Sequence, residues 1–242
     1  MKGTRKTKYT LPLGLEKKVY LAGMNLAVRN ARALLRSASL LKGGSANRLA
    51  SVLSILAIEE ASKVVLLVIC SHPDSNSASL KTREMLGTHF RKHSSKLWLL
   101  DTYYGSSWKG VLYARKHRRR ASEDRTAAQQ YRELLESYKD VYSFLKRKRI
   151  ESLAAFKLRC LYTEILPDGS GFAGPEVVPT SIRSSLLNIA EAHLDDARSL
   201  RDSFRRSRTA ALPEAIADSM LRDVDLYALA HQLGIDTGHL PA

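Results

Sequence analysis

The amino-acid sequence predicts an all-α helical bundle, and three observations indicate it. Apolar residues recur every three or four positions through several long segments, which is the period of an α-helix. Glycine and proline residues close several of these segments. No convincing segment alternates apolar and polar residues as a half-buried strand does. The helices are therefore expected to pack mainly against one another.

The first two helices are predicted on either side of a glycine pair. Residues 1–14 are expected to form a basic flexible arm, followed by a helix over 15–42 that Gly43-Gly44 ends. The second helix begins after Ser45, a suitable N-cap, and ends near residue 71, before a proline. Because it is apolar on nearly every side, a central position is expected.

Four further helices are predicted. They cover residues 77–104, 122–149, 180–208 and 213–233. The fourth helix of the chain extends or restarts as far as Tyr162, and residues 105–120 and 163–179 are expected to be loops. The prediction is thus one bundle domain over 15–208 with additional C-terminal helices over 209–242.

The composition is that of a globular protein with a strong positive charge. The 242 residues include 39 Lys and Arg and 24 Asp and Glu, which gives a formal net charge of +15. The hydrophobic share of 44% excludes a disordered chain. A positive field of this size favours a polyanionic partner: RNA, DNA or acidic lipid. The alternative is a surface that only keeps the protein soluble by repulsion.

The cysteines and the hydropathy indicate a cytoplasmic protein. Cys70 and Cys160 lack metal-binding spacing, so free thiols in a reducing compartment are expected. The N-terminus has no continuous apolar region of the signal-peptide kind. Residues 49–70 are long enough to span a bilayer, but they include charged residues that each cost roughly 2.5–3.5 kcal/mol there. No membrane partner is therefore expected.

Those charges, Glu59, Glu60 and Lys63, interrupt the apolar second helix. At about 100° per residue they lie within about 60° of Leu56, on the stripe of the other leucines of this helix. Burying them unpaired costs several kcal/mol, so partners are expected. One alternative is a half-exposed Glu59–Lys63 pair within the helix, worth only a few tenths of a kcal/mol.

The third helix carries a similar polar intrusion. His93 shares a face with three leucines, and His89 and Lys96 flank it within about 60°. Two facing helices that each present ionisable groups from an apolar stripe indicate a shared site. Catalytic roles are predicted for His93, Lys96, Glu60 and Lys63, with Glu59 and His89 beside them.

A basic run follows in the predicted loop over 105–120. Its arginines are Arg115, Arg118, Arg119 and Arg120. The run is interpreted as a phosphate-contacting loop that adds affinity without sequence selection. The alternative is ordinary solvated loop charge.

Four segments stand out in order along the chain: Asn30-Ala31 with the leucines that follow, LAIEEASK at 56–63, FRKHSSK at 90–96 and KLRCLYTE at 157–164. Together they resemble motifs of the abortive-infection AbiV family, a branch of the HEPN superfamily of helical bundles. The second resembles the family's LAxEExGK signature, the third its HxxK element and the fourth its K..LYVD segment. The likeness covers about residues 20–200. Ser62 stands where the family usually has glycine, which suggests slightly different helix packing.

The resemblance implies a toxin-like phage-defence protein with an HEPN-like fold. Many HEPN relatives are metal-independent ribonucleases that act as dimers and use an Arg-x4–6-His motif. Arg83 and His89 have this spacing, but on one continuous helix they lie about 120° apart, so the match requires a break near Gly87. His93 is therefore the preferred central histidine, and Asn30 joins the binding residues.

Three hypotheses follow for the chemistry. In the first, His93 moves the proton while the ribose 2′-OH of RNA attacks the adjacent phosphate, and lysines stabilise the developing charge. In the second, the chain is a non-catalytic module that binds RNA, a nucleotide, or a phage or host protein and so blocks translation. In the third, His89, His93 and Glu60 hold a metal ion. The neighbouring lysines disfavour the third, so no metal or other cofactor is expected.

Overall fold

In the computed structural model, the residues described are 15–71, 125–162, 164–165 and 172–206. They form five helices and one pair of very short strands. The elements, numbered within these ranges, are α1 (Lys17–Leu40), α2 (Ala46–Cys70), α3 (Arg125–Arg147), α4 (Leu153–Leu161), β1 (Glu164–Ile165), β2 (Phe172–Ala173) and α5 (Thr180–Arg206). The predicted all-α class is confirmed.

The turn between α1 and α2 depends on the glycine pair. Gly43 and Gly44 have φ of 79° and 48°, in the left-handed region that glycine adopts without steric cost. The Gly43 amide donates to Asn47 Oδ1 at 3.2 Å, which ties the turn to the first turn of α2. The predicted helix end and the predicted start after Ser45 are both confirmed.

Helix α2 lies at the centre of the described bundle. It packs against α1, α4 and α5, and side chains such as Ile55, Ile58 and Val64 are completely buried. Its buried serines satisfy their hydroxyls locally, as when Ser62 Oγ donates to the Ile58 carbonyl at 2.9 Å. Ser62 is therefore accommodated inside the bundle where the family usually has glycine.

The helix is interrupted between α3 and α4, so the fourth predicted helix ends and a new helix begins, and it does not continue unbroken. Arg149 has a positive φ of 53°. Ser152 then caps α4, since its hydroxyl accepts from the Ala155 amide at 3.2 Å. After this break, α4 packs against α2.

Two features of the connection from α4 to α5 were not predicted. The predicted loop over 163–179 contains the two-residue strands β1 and β2, which pair antiparallel. Glu164 lies opposite Ala173, and Ile165 lies opposite Phe172. Asn47 of α2 donates to the Val178 carbonyl at 3.4 Å and to Thr180 Oγ1 at 3.1 Å, where α5 begins. A two-residue strand is too short to show a periodic sequence pattern.

Several predictions concern residues outside the described ranges. They are the basic arm over 1–14, the helix over 77–104, the loop over 105–120 and the C-terminal extension over 209–242. The domain boundaries therefore stay predictions. No helix in the described ranges combines the length and the apolar character needed to cross a bilayer.

Candidate functional site

Two consecutive carboxylates of α2 face different helices. Adjacent residues of a helix lie about 100° apart around its axis. Glu59 is directed towards α4, where it pairs with Lys157, and Glu60 is directed towards α1, where it meets Asn30. The signature segment of α2 thus supplies one polar contact to the interior and another to the surface.

The interior contact is an ion pair between Lys157 Nζ and Glu59 Oε1. The two side chains are only 8% and 2% exposed. Attraction between charges is strong where water is excluded, but each charge has also lost its hydration, so neither residue is stable there alone. Lys157 belongs to the fourth family-like segment, and its structural role is to neutralise the buried Glu59 carboxylate.

The surface contact is a cluster of Asn30, Glu60 and Lys63, called here the α1–α2 cluster. Lys63 Nζ lies 2.5 Å from Glu60 Oε1, and Asn30 Nδ2 donates to Glu60 Oε2 at 3.4 Å. The Lys63 and Glu60 side chains are 21% and 18% exposed, and Asn30 is exposed. Both carboxylate oxygens are therefore engaged at a place that solvent reaches.

The structure corrects the sequence analysis on two points. Lys63 pairs with Glu60 at a spacing of three residues, whereas the predicted alternative paired it with Glu59. The three charges also do not share one buried stripe. Glu60 and Lys63 lie on the outer stripe with Leu49, which is 45% exposed, while Glu59 lies inside the bundle. The rotation of about 100° per residue gives the angles between side chains on one helix, but it does not show which of those angles faces another helix.

The remaining predicted site residues lie outside the described ranges. They are Arg83, His89, His93, Lys96, Arg115, Arg118, Arg119 and Arg120. The convergence of His93 and Lys96 on Glu60 and Lys63 stays a prediction, as does the phosphate-contacting loop.

A polar seam between α3 and α5 was missed by the sequence analysis. His193 Nε2 lies 2.9 Å from the Tyr138 hydroxyl, and Asn188 Nδ2 donates to Ser137 Oγ at 3.3 Å. His193 is buried and occurs seven residues after Leu186, on the inner face of α5. This position among leucines was the signal that the sequence offered. The seam joins two helices through hydrogen bonds.

The thiol of Cys160 is not suited to nucleophilic chemistry. Burial, together with the negative charge of Glu176, raises its pKa to about 12, although Arg48 opposes the rise. A thiol with this pKa stays protonated at neutral pH, and the thiolate is the reactive form. As expected, Cys160 is free.

Metal binding finds no support within the described ranges. They contain no group of three or more His, Cys, Asp or Glu residues able to hold a metal ion. The hypothetical set of His89, His93 and Glu60 includes two histidines outside those ranges and is not tested.

A family model matches a stretch of the chain that includes the α1–α2 cluster and the Glu59–Lys157 pair. The AbiV model of the HEPN proteins matches residues 19–195, well over half of the 242 residues. No curated protein and no solved structure gives a match. The family match agrees with the resemblance in the motifs and with the helical fold. The chain belongs to the AbiV family of HEPN proteins.

Proposed function

We propose that this protein acts in abortive-infection defence against phage as a toxin-like protein that cleaves RNA without a metal ion. The α1–α2 cluster carries the proposal. Residues of the family-like segments meet there across two helices, at a place open to solvent. The net charge of +15 supports a polyanionic substrate in the cytoplasm.

The proposed chemistry is an internal transfer at phosphorus. His93 accepts the proton of the ribose 2′-OH, the 2′ oxygen attacks the adjacent phosphorus, and the bond to the 5′ oxygen breaks. The departing 5′ oxygen takes up a proton from the protonated histidine or from water. The products are a 2′,3′-cyclic phosphate and a 5′-hydroxyl end.

The described residues supply the cationic side of this mechanism. The Glu60 carboxylate fixes the Lys63 ammonium at 2.5 Å, and Asn30 fixes the carboxylate from α1. A cation held in this way needs little rearrangement when negative charge develops on the phosphate oxygens. Lys96 is proposed to act beside it.

The test is RNA cleavage by purified protein with EDTA present. His93→Ala is expected to lower the rate at least about a hundredfold, the usual contribution of a general base. The matched control is His231→Ala, which removes a histidine from the predicted C-terminal extension and should retain activity. Circular dichroism reports whether both variants keep the helical fold. Cleavage by His93→Ala at the wild-type rate removes His93 from the mechanism.

A second candidate function is a non-catalytic module that binds RNA, a nucleotide, or a phage or host protein. The observation that favours it is that both carboxylates of the α2 segment are paired with lysines, Glu59 with Lys157 and Glu60 with Lys63. Such pairs also serve simply to hold helices together. Salt-sensitive RNA binding by the wild type with no new RNA ends supports this candidate and contradicts the ribonuclease.

The family also favours a homodimer, which we include in the proposal. Light scattering on the eluting peak of a gel-filtration column measures the mass directly. A mass near twice 27.0 kDa is expected, and a mass near 27.0 kDa at every concentration contradicts it.

A further inference from the structure

The outer face of α1 carries a row of cations with no acidic residue among them. The helix contains Lys17, Lys18, Arg29, Arg32 and Arg36, and it contains no Asp or Glu. Arg29, Arg32 and Arg36 are all exposed. At about 100° per residue they lie within about 60° of one another, so they form a single row. We call these three residues the arginine row.

None of the three residues of the arginine row forms an ion pair with a residue in the described part of the chain. On α5, by contrast, Arg198 pairs with Asp195 at 2.7 Å and Arg201 with Asp202 at 2.8 Å. The charge of the arginine row is thus available to an external anion.

The bundle also holds the arginine row in place. The opposite face of α1 packs on α2 and α5 through buried side chains such as Met24, Ala31 and Leu35. The row is therefore displayed on a rigid rod and not on a loop. Along the helix axis, the backbone of Arg32 lies about 4.5 Å from that of Arg29, and the backbone of Arg36 lies about 6 Å from that of Arg32. This spacing allows the three side chains to contact neighbouring phosphates of one strand.

The arginine row is separate from the candidate site. Arg29 immediately precedes Asn30, which donates to Glu60 at 3.4 Å. At about 100° per residue, however, Asn30 lies about 100–160° around the helix from the three arginines. The row and the α1–α2 cluster therefore lie on different sides of α1.

The chemistry of the same face favours a nucleic acid strand over a lipid surface. An interfacial helix buries a broad apolar face that is rich in aromatic or leucine side chains. On α1, the large apolar residues that are exposed in the described structure are Val19, Leu26 and Leu40. Three aliphatic side chains spread over 22 positions do not form a broad apolar face, whereas three exposed arginines in one row suit a phosphate backbone.

We propose that the arginine row is a docking surface for the phosphate backbone of single-stranded RNA, on a side of α1 different from that of the α1–α2 cluster. This inference rests on the proposed function for its choice of RNA. It is separate from the predicted phosphate-contacting loop at residues 115–120.

The experiment measures how salt affects RNA binding by the full chain. A fluorescent 2′-O-methylated RNA oligonucleotide is the probe, because it lacks the attacking hydroxyl and is not cleaved. Anisotropy titrations from about 0.05 to 0.3 M KCl compare the wild type with the R29Q/R32Q/R36Q variant. The matched control, K139Q/K146Q/R147Q, removes the same charge from exposed positions of α3. Circular dichroism and thermal unfolding verify both folds.

Each lost phosphate contact is expected to lower the log–log salt slope by about 0.7, so the arginine variant loses about two units. Its Kd at 0.15 M KCl is expected to rise at least tenfold. The α3 control should change the slope by less than half a unit.

Three outcomes overturn the inference, and they separate it from the proposed function. If the two triple variants have equal salt slopes of RNA binding and the wild type cleaves RNA, the arginine row is excluded as a docking surface and the proposed ribonuclease activity is retained. Absence of RNA binding by the wild type excludes both. Loss of binding to phosphatidylserine vesicles by R29Q/R32Q/R36Q, with RNA binding unchanged, assigns the row to a membrane surface.

Discussion

At the scale of single residues, Glu59 and Glu60 show how one position along a helix changes the role of a carboxylate. Glu59 is inside the bundle with Lys157, and Glu60 is at the surface with Asn30 and Lys63. The sequence predicted that such charges need partners, because an unpaired buried charge is costly. It did not predict which partner belongs to which carboxylate, since Lys63 follows Glu60 by three residues and Glu59 by four, and both spacings allow a pair on one helix.

Cys160 provides a prediction at this scale. With a pKa of about 12, its thiol is protonated at pH 8, whereas the pKa of an unfolded cysteine is about 8.5. The fraction of reactive thiolate should therefore be about a thousandfold lower in the folded protein. We expect iodoacetamide at pH 8 to label Cys160 at least a hundredfold faster after unfolding.

Peptide mass spectrometry measures this labelling separately from that of Cys70. The same protein unfolded in guanidinium chloride is the control for intrinsic reactivity. Equal labelling rates before and after unfolding contradict the buried position of the thiol.

At the scale of secondary structure, helix identities and most helix ends follow from local signals. The glycine pair ends α1, and the change to apolar periodicity at residue 180 begins α5. The break after α3 was left open between an extension and a restart. The structure has the restart because Arg149 adopts a positive φ and Ser152 caps the next helix. The pairing of β1 with β2 has no local signal.

The Glu59–Lys157 pair gives a prediction about the packing of α4 on α2. Lys157→Met leaves Glu59 with a buried charge and should lower the free energy of unfolding by about 3–5 kcal/mol. Glu59→Gln leaves Lys157 in the same position and should also destabilise the protein. The double variant should be less destabilised than the sum of the two, with a coupling of at least about 1 kcal/mol.

Urea denaturation of the four proteins measures this cycle. Lys146→Met, at an exposed position of α3, is the control and should change stability by no more than about 0.5 kcal/mol. Strict additivity of the two single variants argues against an energetic role for the pair.

At the scale of the whole molecule, a single side chain joins segments that are distant in the sequence. Asn47 is buried, and its Oδ1 accepts from the Gly43 amide while its Nδ2 donates to Val178 and Thr180. It thereby connects the α1–α2 turn with the start of α5. The sequence did not single out Asn47, because its partners lie about 130 positions later.

Asn47→Ala should therefore weaken the whole bundle and not only one turn. It removes both the donor and the acceptor groups of the side chain and leaves backbone groups without their partners. We expect a loss of about 1–3 kcal/mol in the free energy of unfolding, measured by urea denaturation. Asn25→Ala, at an exposed position of α1, is the control. A loss in Asn47→Ala no larger than in the control contradicts the tether.

The sequence by itself determined the helical class, the central position of α2 and the family, because these depend on periodicity, composition and motifs that are local in the chain. It also identified Glu59, Glu60 and Lys63 as residues that need partners. Only the tertiary structure decided that Glu59 pairs with Lys157 and that Glu60 joins α1, because those choices depend on which helix packs against which angular sector of α2. The same dependence on packing leaves the arginine row of α1 facing outward.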